Sequence, residues 1–105
     1  MPKRQLSQLD SLDQLRNIGP VCQADLNAAG ISTPSQLIQL GPEAAFLKML
    51  QYRRSQGRST KCCNAAYLYA LYGAIHDVDW RDIPEVQKKR FKKLTAELRQ
   101  SGQFG

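Results

Sequence analysis

The chain has 105 residues, 42% hydrophobic and 23% charged, with 15 Lys and Arg against 9 Asp and Glu and a formal charge of +6. That length suits one ordinary domain with an unstapled core, because a chain of this size buries about two-thirds of its unfolded surface. The composition is that of a globular protein, and the longest apolar run, near residues 65–75, is well short of the ~20 residues that span a bilayer. No charged stretch followed by an apolar one opens the sequence, so no secretory signal and no membrane partner are expected. Three cysteines, with Cys62 and Cys63 adjacent, make no disulfide framework. An odd count without a signal points to reduced thiols and a cytoplasmic location. The basic excess favours an anionic partner such as nucleic acid, and solubility alone is the plainer alternative.

In chain order, residues 1–7 and 101–105 are expected to be flexible tails around a single domain. Leu6, Leu9 and Leu12 share one helical face, a lead-in that can pack on the domain. Residues 12–40, with Asn17-Ile18-Gly19-Pro20 within them, organise the rest of the chain. Ser11 suits an N-cap, and Leu12 and Leu15 give one apolar turn. Asn17 and Gly19 are residue types that take positive φ readily. Pro20 suits the first position of a new helix. That helix is expected to bury Val21, Ala24 and Ala28 with Leu26 nearby, and to end at Gly30 as a C′ glycine. Ile31 then packs back, and Ser32-Thr33-Pro34 starts a short helix carrying Leu37, Ile38 and Leu40.

This stretch resembles the helix-hairpin-helix unit, whose hairpin amides and second-helix N-terminus hold a DNA phosphate without reading sequence. Asn17 stands where that unit has its first glycine. Pro20 removes one amide, and Val21, Cys22 and Gln23 supply no charge after it, leaving Arg16 as the nearest cation. A phosphate site at Arg16, Asn17 and Gly19 and a purely structural hairpin are both open readings.

Leu37-Ile38-Gln39-Leu40-Gly41-Pro42 echoes Leu15-Arg16-Asn17-Ile18-Gly19-Pro20 at the same spacing. Glu43 would satisfy the dipole of the next helix, so this second turn is read as structural. Residues 43–54 read as a helix burying Phe46, Leu47 and Leu50, with Met49 and Tyr52 beside them. It runs into a loop of Ser, Gly and cations, residues 53–61. Arg53, Arg54, Arg58 and Lys61 there are either a binding patch or a solvated helix end.

Residues 61–76 are apolar around most of the helical circumference, the mark of a central buried helix, with Ser59 or Thr60 as its cap. Gly73 within it is expected to permit close approach of another backbone. Tyr67, Tyr69 and Tyr72 read as core more readily than as base-stacking rings. Asp77-Val78-Asp79-Trp80-Arg81-Asp82 is a turn, with Asp79 and Asp82 as caps and Trp80 as a plug buried with Leu71 and Phe91. Pro84 and Glu85 start a last helix that runs to about residue 100 and buries Phe91, Leu94 and Leu98. Lys88, Lys89, Arg90, Lys92, Lys93 and Arg99 cover its remainder, lopsided enough to suggest an anionic partner.

No constellation for catalysis appears. His76, the single histidine, ends a helix. Cys62-Cys63 is not a metal or redox spacing, and no phosphate-cradling glycine loop or serine elbow is present. The expectation is a protein that is not an enzyme and takes no metal, cofactor or small-molecule substrate.

Several motifs in order carry a wider resemblance. They are Leu15-Arg16-Asn17-Ile18-Gly19-Pro20, Ala29-Gly30-Ile31, Leu40-Gly41-Pro42-Glu43-Ala44-Ala45, Leu68-Tyr69-Ala70-Leu71-Tyr72-Gly73-Ala74-Ile75 and Trp80-Arg81-Asp82-Ile83-Pro84. Over about residues 8–94 they resemble the C-terminal domain of TfoX (Sxy), the bacterial regulator of DNA uptake competence. Tyr72 stands where that family's pattern is acidic, and the separate N-terminal domain of its full-length members does not precede these residues. The resemblance implies an all-α fold, a compact bundle of about five helices with an N-terminal helix-hairpin-helix unit. It also implies a role beside a transcription activator at competence promoters. Three readings are compatible with it: a DNA-binding accessory contacting double-stranded DNA, an interaction module recruiting an activator or RNA polymerase without touching DNA, and an unrelated scaffold.

Overall fold

Helix boundaries fall where local chemistry requires them. In the computed structural model, which describes residues 9, 11–60 and 63–102, proline takes the first position of α1 (Pro20–Ala28), α2 (Pro34–Leu40) and α3 (Pro42–Ser55). An N–H there would have no partner within the helix, so proline loses nothing. Gly30 ends α1 at φ +91°, and the Ile31 amide donates back to the Leu26 carbonyl at 2.8 Å. Ile31 is thereby returned to the core. Thr33 caps α2: its Oγ1 accepts from the Gln36 amide at 3.2 Å, while the Thr33 amide donates to Gln36 Oε1 at 3.3 Å.

Two further helices complete the described bundle, α4 (Ala65–His76) and α5 (Glu85–Gln100). They are joined through a 3-10 turn at Trp80–Asp82, and no strand forms among the described residues. Asn64 opens α4 by accepting from the Tyr67 amide at 3.1 Å. The helix therefore begins four residues later than the 61–76 read from hydrophobicity, because Asn64 is the better cap than Ser59 or Thr60. Lys61, Cys62, Leu6 and most of the tail residues lie outside the described residues. Ser101 and Gly102 finish α5, with the Ser101 amide donating to the Glu97 carbonyl at 3.0 Å.

α4 is the central element, packed on α2, α3, α5 and the Trp80–Asp82 turn. Leu68, Leu71 and Ala74 are fully buried. Tyr67 packs on Phe46 of α3 with ring centroids 5.8 Å apart. On another face, Tyr69 and Tyr72 lie 6.2 and 5.9 Å from Phe91 of α5. The tyrosines are core-packing rings, as their place on an apolar helix implied. The α5 stripe is Phe91 and Thr95, with Leu94 and Leu98 partly buried. Thr95 is admitted because its hydroxyl donates to the Phe91 carbonyl at 3.0 Å.

Four expectations are corrected. The arm before the hairpin is, among the described residues, a single 3-10 turn, Leu12–Gln14, after which Leu15 is already extended. On α1, Val21 is 73% exposed, and Ala24 and Ala28 also face solvent. The inward face carries Leu26, Ala29 and the carboxylate of Asp25. Counting apolar residues alone chose the wrong frame, because the inward face includes a charge neutralised from another helix. On α2, Leu37 is fully buried but Leu40, at its last position, is 39% exposed. Trp80, finally, is 48% exposed and not a plug; Tyr69 and Tyr72 already pack on Phe91 at the place it was assigned.

Asp25 is 5% exposed, with Oδ1 2.7 Å from Arg53 Nη2 of α3 and Oδ2 accepting from the Tyr67 hydroxyl at 3.3 Å. Three helices thus share one largely buried polar node. Asp25→Ala leaves the Arg53 guanidinium buried without its counter-charge and is expected to cost about 3–5 kcal/mol, read from urea denaturation.

Gly73, buried in α4, is the other point of close approach. A Cβ there would overlap both Asn17 Nδ2 and the Val78 carbonyl oxygen. Gly→Ala inside a helix ordinarily gains up to about 1 kcal/mol. Gly73→Ala is expected to lower stability instead, and an unchanged or higher denaturation midpoint would refute the close contact.

Candidate functional site

The hairpin is built from the inside. Asn17 supplies φ +68° at the position where a glycine was expected. Its Nδ2 donates to the Val78 carbonyl at 3.1 Å and to the Ala70 carbonyl at 3.4 Å. Asparagine does here what glycine cannot, because its side chain also ties the turn to α4. Gly19 is extended, at φ −92° and ψ −178°, and caps α1, its carbonyl accepting from the Gln23 amide at 2.9 Å. Ile18 anchors the tip at 6% exposure. Arg16 projects 55% exposed, with Nε 2.9 Å from Asp77 Oδ1. Of the proposed phosphate contacts here, the Asn17 amide group is turned inward and Arg16 carries a carboxylate.

The basic loop after α3 divides in two. Arg53 is drawn inside by Asp25, and its Nη1 donates to the Ser59 carbonyl at 3.0 Å, so it shapes the loop from beneath. Arg54 and Arg58 are exposed and make no ion pair among the described residues. Lys61 lies outside the described residues.

α5 carries the largest cationic face. Lys88 sits 3.6 Å from Glu85, and Arg90 is held at 2.8 Å by Glu43 at the start of α3. Lys89, Lys92, Lys93 and Arg99 are exposed and make no ion pair among the described residues. They lie off the Phe91–Thr95 stripe. Asn17 contacts Ala70 and Gly73 of α4, whereas α5 packs on Tyr69 and Tyr72.

One feature was missed from sequence. Asn17, Ala66, Ala70, Asp79 and Trp80 line an open cleft of about 420 Å³ on the hairpin side of α4. Its signals were present in the lone tryptophan of an acidic turn and in small residues at positions 66, 70 and 73, a helical spacing. Reading Trp80 as core hid them. Asp79 is the cap foreseen for this turn, accepting from the Arg81 amide at 2.9 Å. Its two oxygens also face Arg81 Nε and Nη2 at 3.0 and 3.2 Å. These bonds, the Arg81 side chain first, together with a small contribution from the Arg16 charge, hold the Asp79 carboxyl down from 3.8 to about 2. Arg81 is raised above its ordinary value by the same pairing.

No three His, Cys, Asp or Glu side chains among the described residues converge on a metal position, and no described helix is long and apolar enough to cross a membrane.

A five-helix domain with a clamped hairpin beside a central apolar helix and a cationic last helix is a class with solved relatives. Two crystal structures of proteins from Listeria monocytogenes match it. One, described as an uncharacterized protein in a triclinic form, is 35% identical with a TM-score of 0.72, over 84% of this chain and 92% of that one. The other, described as a protein of unknown function in a tetragonal form, is 34% identical with a TM-score of 0.69, over 84% and 99%. No curated protein matches. The family model of the TfoX C-terminal domain matches residues 8–95. The chain belongs to that family.

The Asp79 carboxyl is the sharpest electrostatic feature of the cleft rim. A carboxyl carbon NMR titration is expected to place its midpoint near 2, and Arg81→Ala should return it toward 3.8. Because the folded value is depressed, what this cap contributes to stability is present above about pH 4 and is lost as pH falls through 2.

Proposed function

We propose that this domain is a non-catalytic accessory to transcription in competence control, acting in the cytoplasm and associating with DNA through its phosphate backbone. The observation that carries the reading is the outer face of α5, where Lys89, Lys92, Lys93 and Arg99 stand exposed without an acidic partner among the described residues. Such a face attracts a phosphate backbone and releases its counterions, and it reads no sequence. Arg54 and Arg58 extend the positive surface, and the α1 N-terminus offers its amides and dipole with one donor removed by Pro20. The α5 cations come with no set of Asn, Gln and Arg side chains suited to base edges, so specificity is left to a partner. Family membership supports the regulatory context.

A second reading has its own support. The exposed Trp80 beside the cleft suits a protein contact, so recruitment of an activator or RNA polymerase without DNA contact is the alternative.

Neutralising Lys88, Lys89, Lys92 and Lys93 together to Gln is expected to weaken duplex binding about equally for any sequence. The slope of log affinity against log salt should become shallower by up to ~0.9 per lost phosphate contact. Circular dichroism should stay unchanged, because Lys89, Lys92 and Lys93 are exposed and Lys88 is not one of the buried residues of α5. Parental binding by the folded variant would reduce α5 to a solvated face. No duplex binding by the parent even at low salt, with an activator or polymerase subunit still captured, would put the second reading in its place.

A further inference from the structure

The cleft on the hairpin side of α4 is built differently from the cationic surfaces. Its floor is the methyl groups of Ala66 and Ala70, and Trp80 and Asn17 stand as its sides. Small side chains let another chain come close to the α4 backbone, and the half-exposed indole offers a broad apolar face next to them. An aromatic left in this position with one polar edge is the residue type most enriched where proteins meet. Trp80 is also held in place. Asp79 and Arg81 lock the 3-10 turn by three hydrogen bonds, and Asn17 ties the opposite wall to Ala70 and Val78. A wall fixed before binding loses little freedom on binding.

Charge decides what kind of partner fits. Although the whole chain is strongly positive, Asp77, Asp79 and Asp82 cluster around Trp80. Arg16 and Arg81 neutralise the first two. Asp82 is exposed and makes no ion pair among the described residues. A phosphate backbone approaching this rim meets three carboxylates against two cations, Arg16 and Arg81, the latter shared by Asp79 and Asp82. A peptide carrying lysine or arginine meets an indole face that attracts cations and a turn with carboxylate in excess.

We propose that the Trp80 cleft docks a cationic segment of a partner protein. An aliphatic side chain of that segment rests on Ala66 and Ala70, and a flanking lysine or arginine lies against the Trp80 indole at the acidic turn of residues 77–82. The surface is separate from the α5 face, so it stands or falls independently of duplex binding there.

Trp80 is the single tryptophan of the chain, so its emission reports the cleft directly. The full chain is titrated with a short leucine–lysine peptide, with its glutamate-for-lysine counterpart, and with a DNA duplex. The lysine peptide is expected to shift Trp80 emission to the blue and saturate, and the glutamate peptide to leave it unmoved. Ala66→Arg, at an exposed helical position, fills the floor and opposes the charge. It should weaken the lysine peptide at least about tenfold with an unchanged circular dichroism spectrum. Trp80→Ala, followed by calorimetry, should weaken it about thirtyfold, as for an interface anchor. The fourfold lysine variant of α5 should bind the peptide as the parent does. Equal response to both peptides, indifference to Ala66→Arg, or no saturable response would each overturn the proposal. So would a duplex that shifts Trp80 emission in the α5 variant as in the parent, since the cleft would then belong to a nucleic-acid surface.

Discussion

The contact on which the rest of this domain depends is the meeting of Asn17, Gly73 and Val78. The hairpin before α1 meets there the late part of α4 and the turn that follows it, 53 to 61 residues further along the chain. Gly73 removes the side chain that would hold them apart, and Asn17 Nδ2 fills the space with hydrogen bonds to the Val78 and Ala70 carbonyls. The backbone at Asn17 takes positive φ, open to asparagine at small cost, while its amide does the joining. Without that close approach the hairpin would stand off α4, the Trp80 turn would have no wall to face, and the cleft between them would not exist.

A second constraint is electrostatic. Asp25 on α1 and Arg53 on α3 are withdrawn from solvent together and share the node with the Tyr67 hydroxyl of α4. Burying two charges is tolerable because each is the other's partner, the Tyr67 hydroxyl donates to Asp25 Oδ2 and Arg53 Nη1 donates to the Ser59 carbonyl. The pair sets how α1 rotates, so that Val21 faces outward and Leu26 inward. Through the bond from Arg53 to the Ser59 carbonyl it also shapes the loop that presents Arg54 and Arg58. A residue that looks from sequence like part of a basic patch is in fact the internal support of that patch.

The charged surface divides accordingly. Arg16, Arg53, Lys88, Arg90 and Arg81 are each matched to a carboxylate. Among the described residues, most of the cations left over lie on the outer side of α5 and in the loop after α3, with Lys48 apart on α3, while Asp82 is exposed and makes no ion pair. The two signs of uncompensated charge thus sit on different elements of one small bundle.

By itself the sequence determined the five helices and most of their ends, the start of α4 excepted. Prolines at first positions, Gly30 after α1, the Thr33–Gln36 cap and Glu85 in the first turn of α5 act through atoms a few residues apart, so local chemistry decides them. The central place of α4 was equally legible, because a helix apolar on nearly every side has nowhere else to go. Family membership was readable from ordered motifs. Tertiary structure alone decided which face of α1 turns inward, since a carboxylate there is acceptable only when Arg53 arrives from another helix. It also decided that Arg53 and Asn17 serve the interior, and that Trp80 remains outside because Tyr69 and Tyr72 already cover Phe91. The placements of α1, Arg53 and Asn17 depend on partners 28 to 61 residues away along the chain, and no local pattern encodes which of them meet.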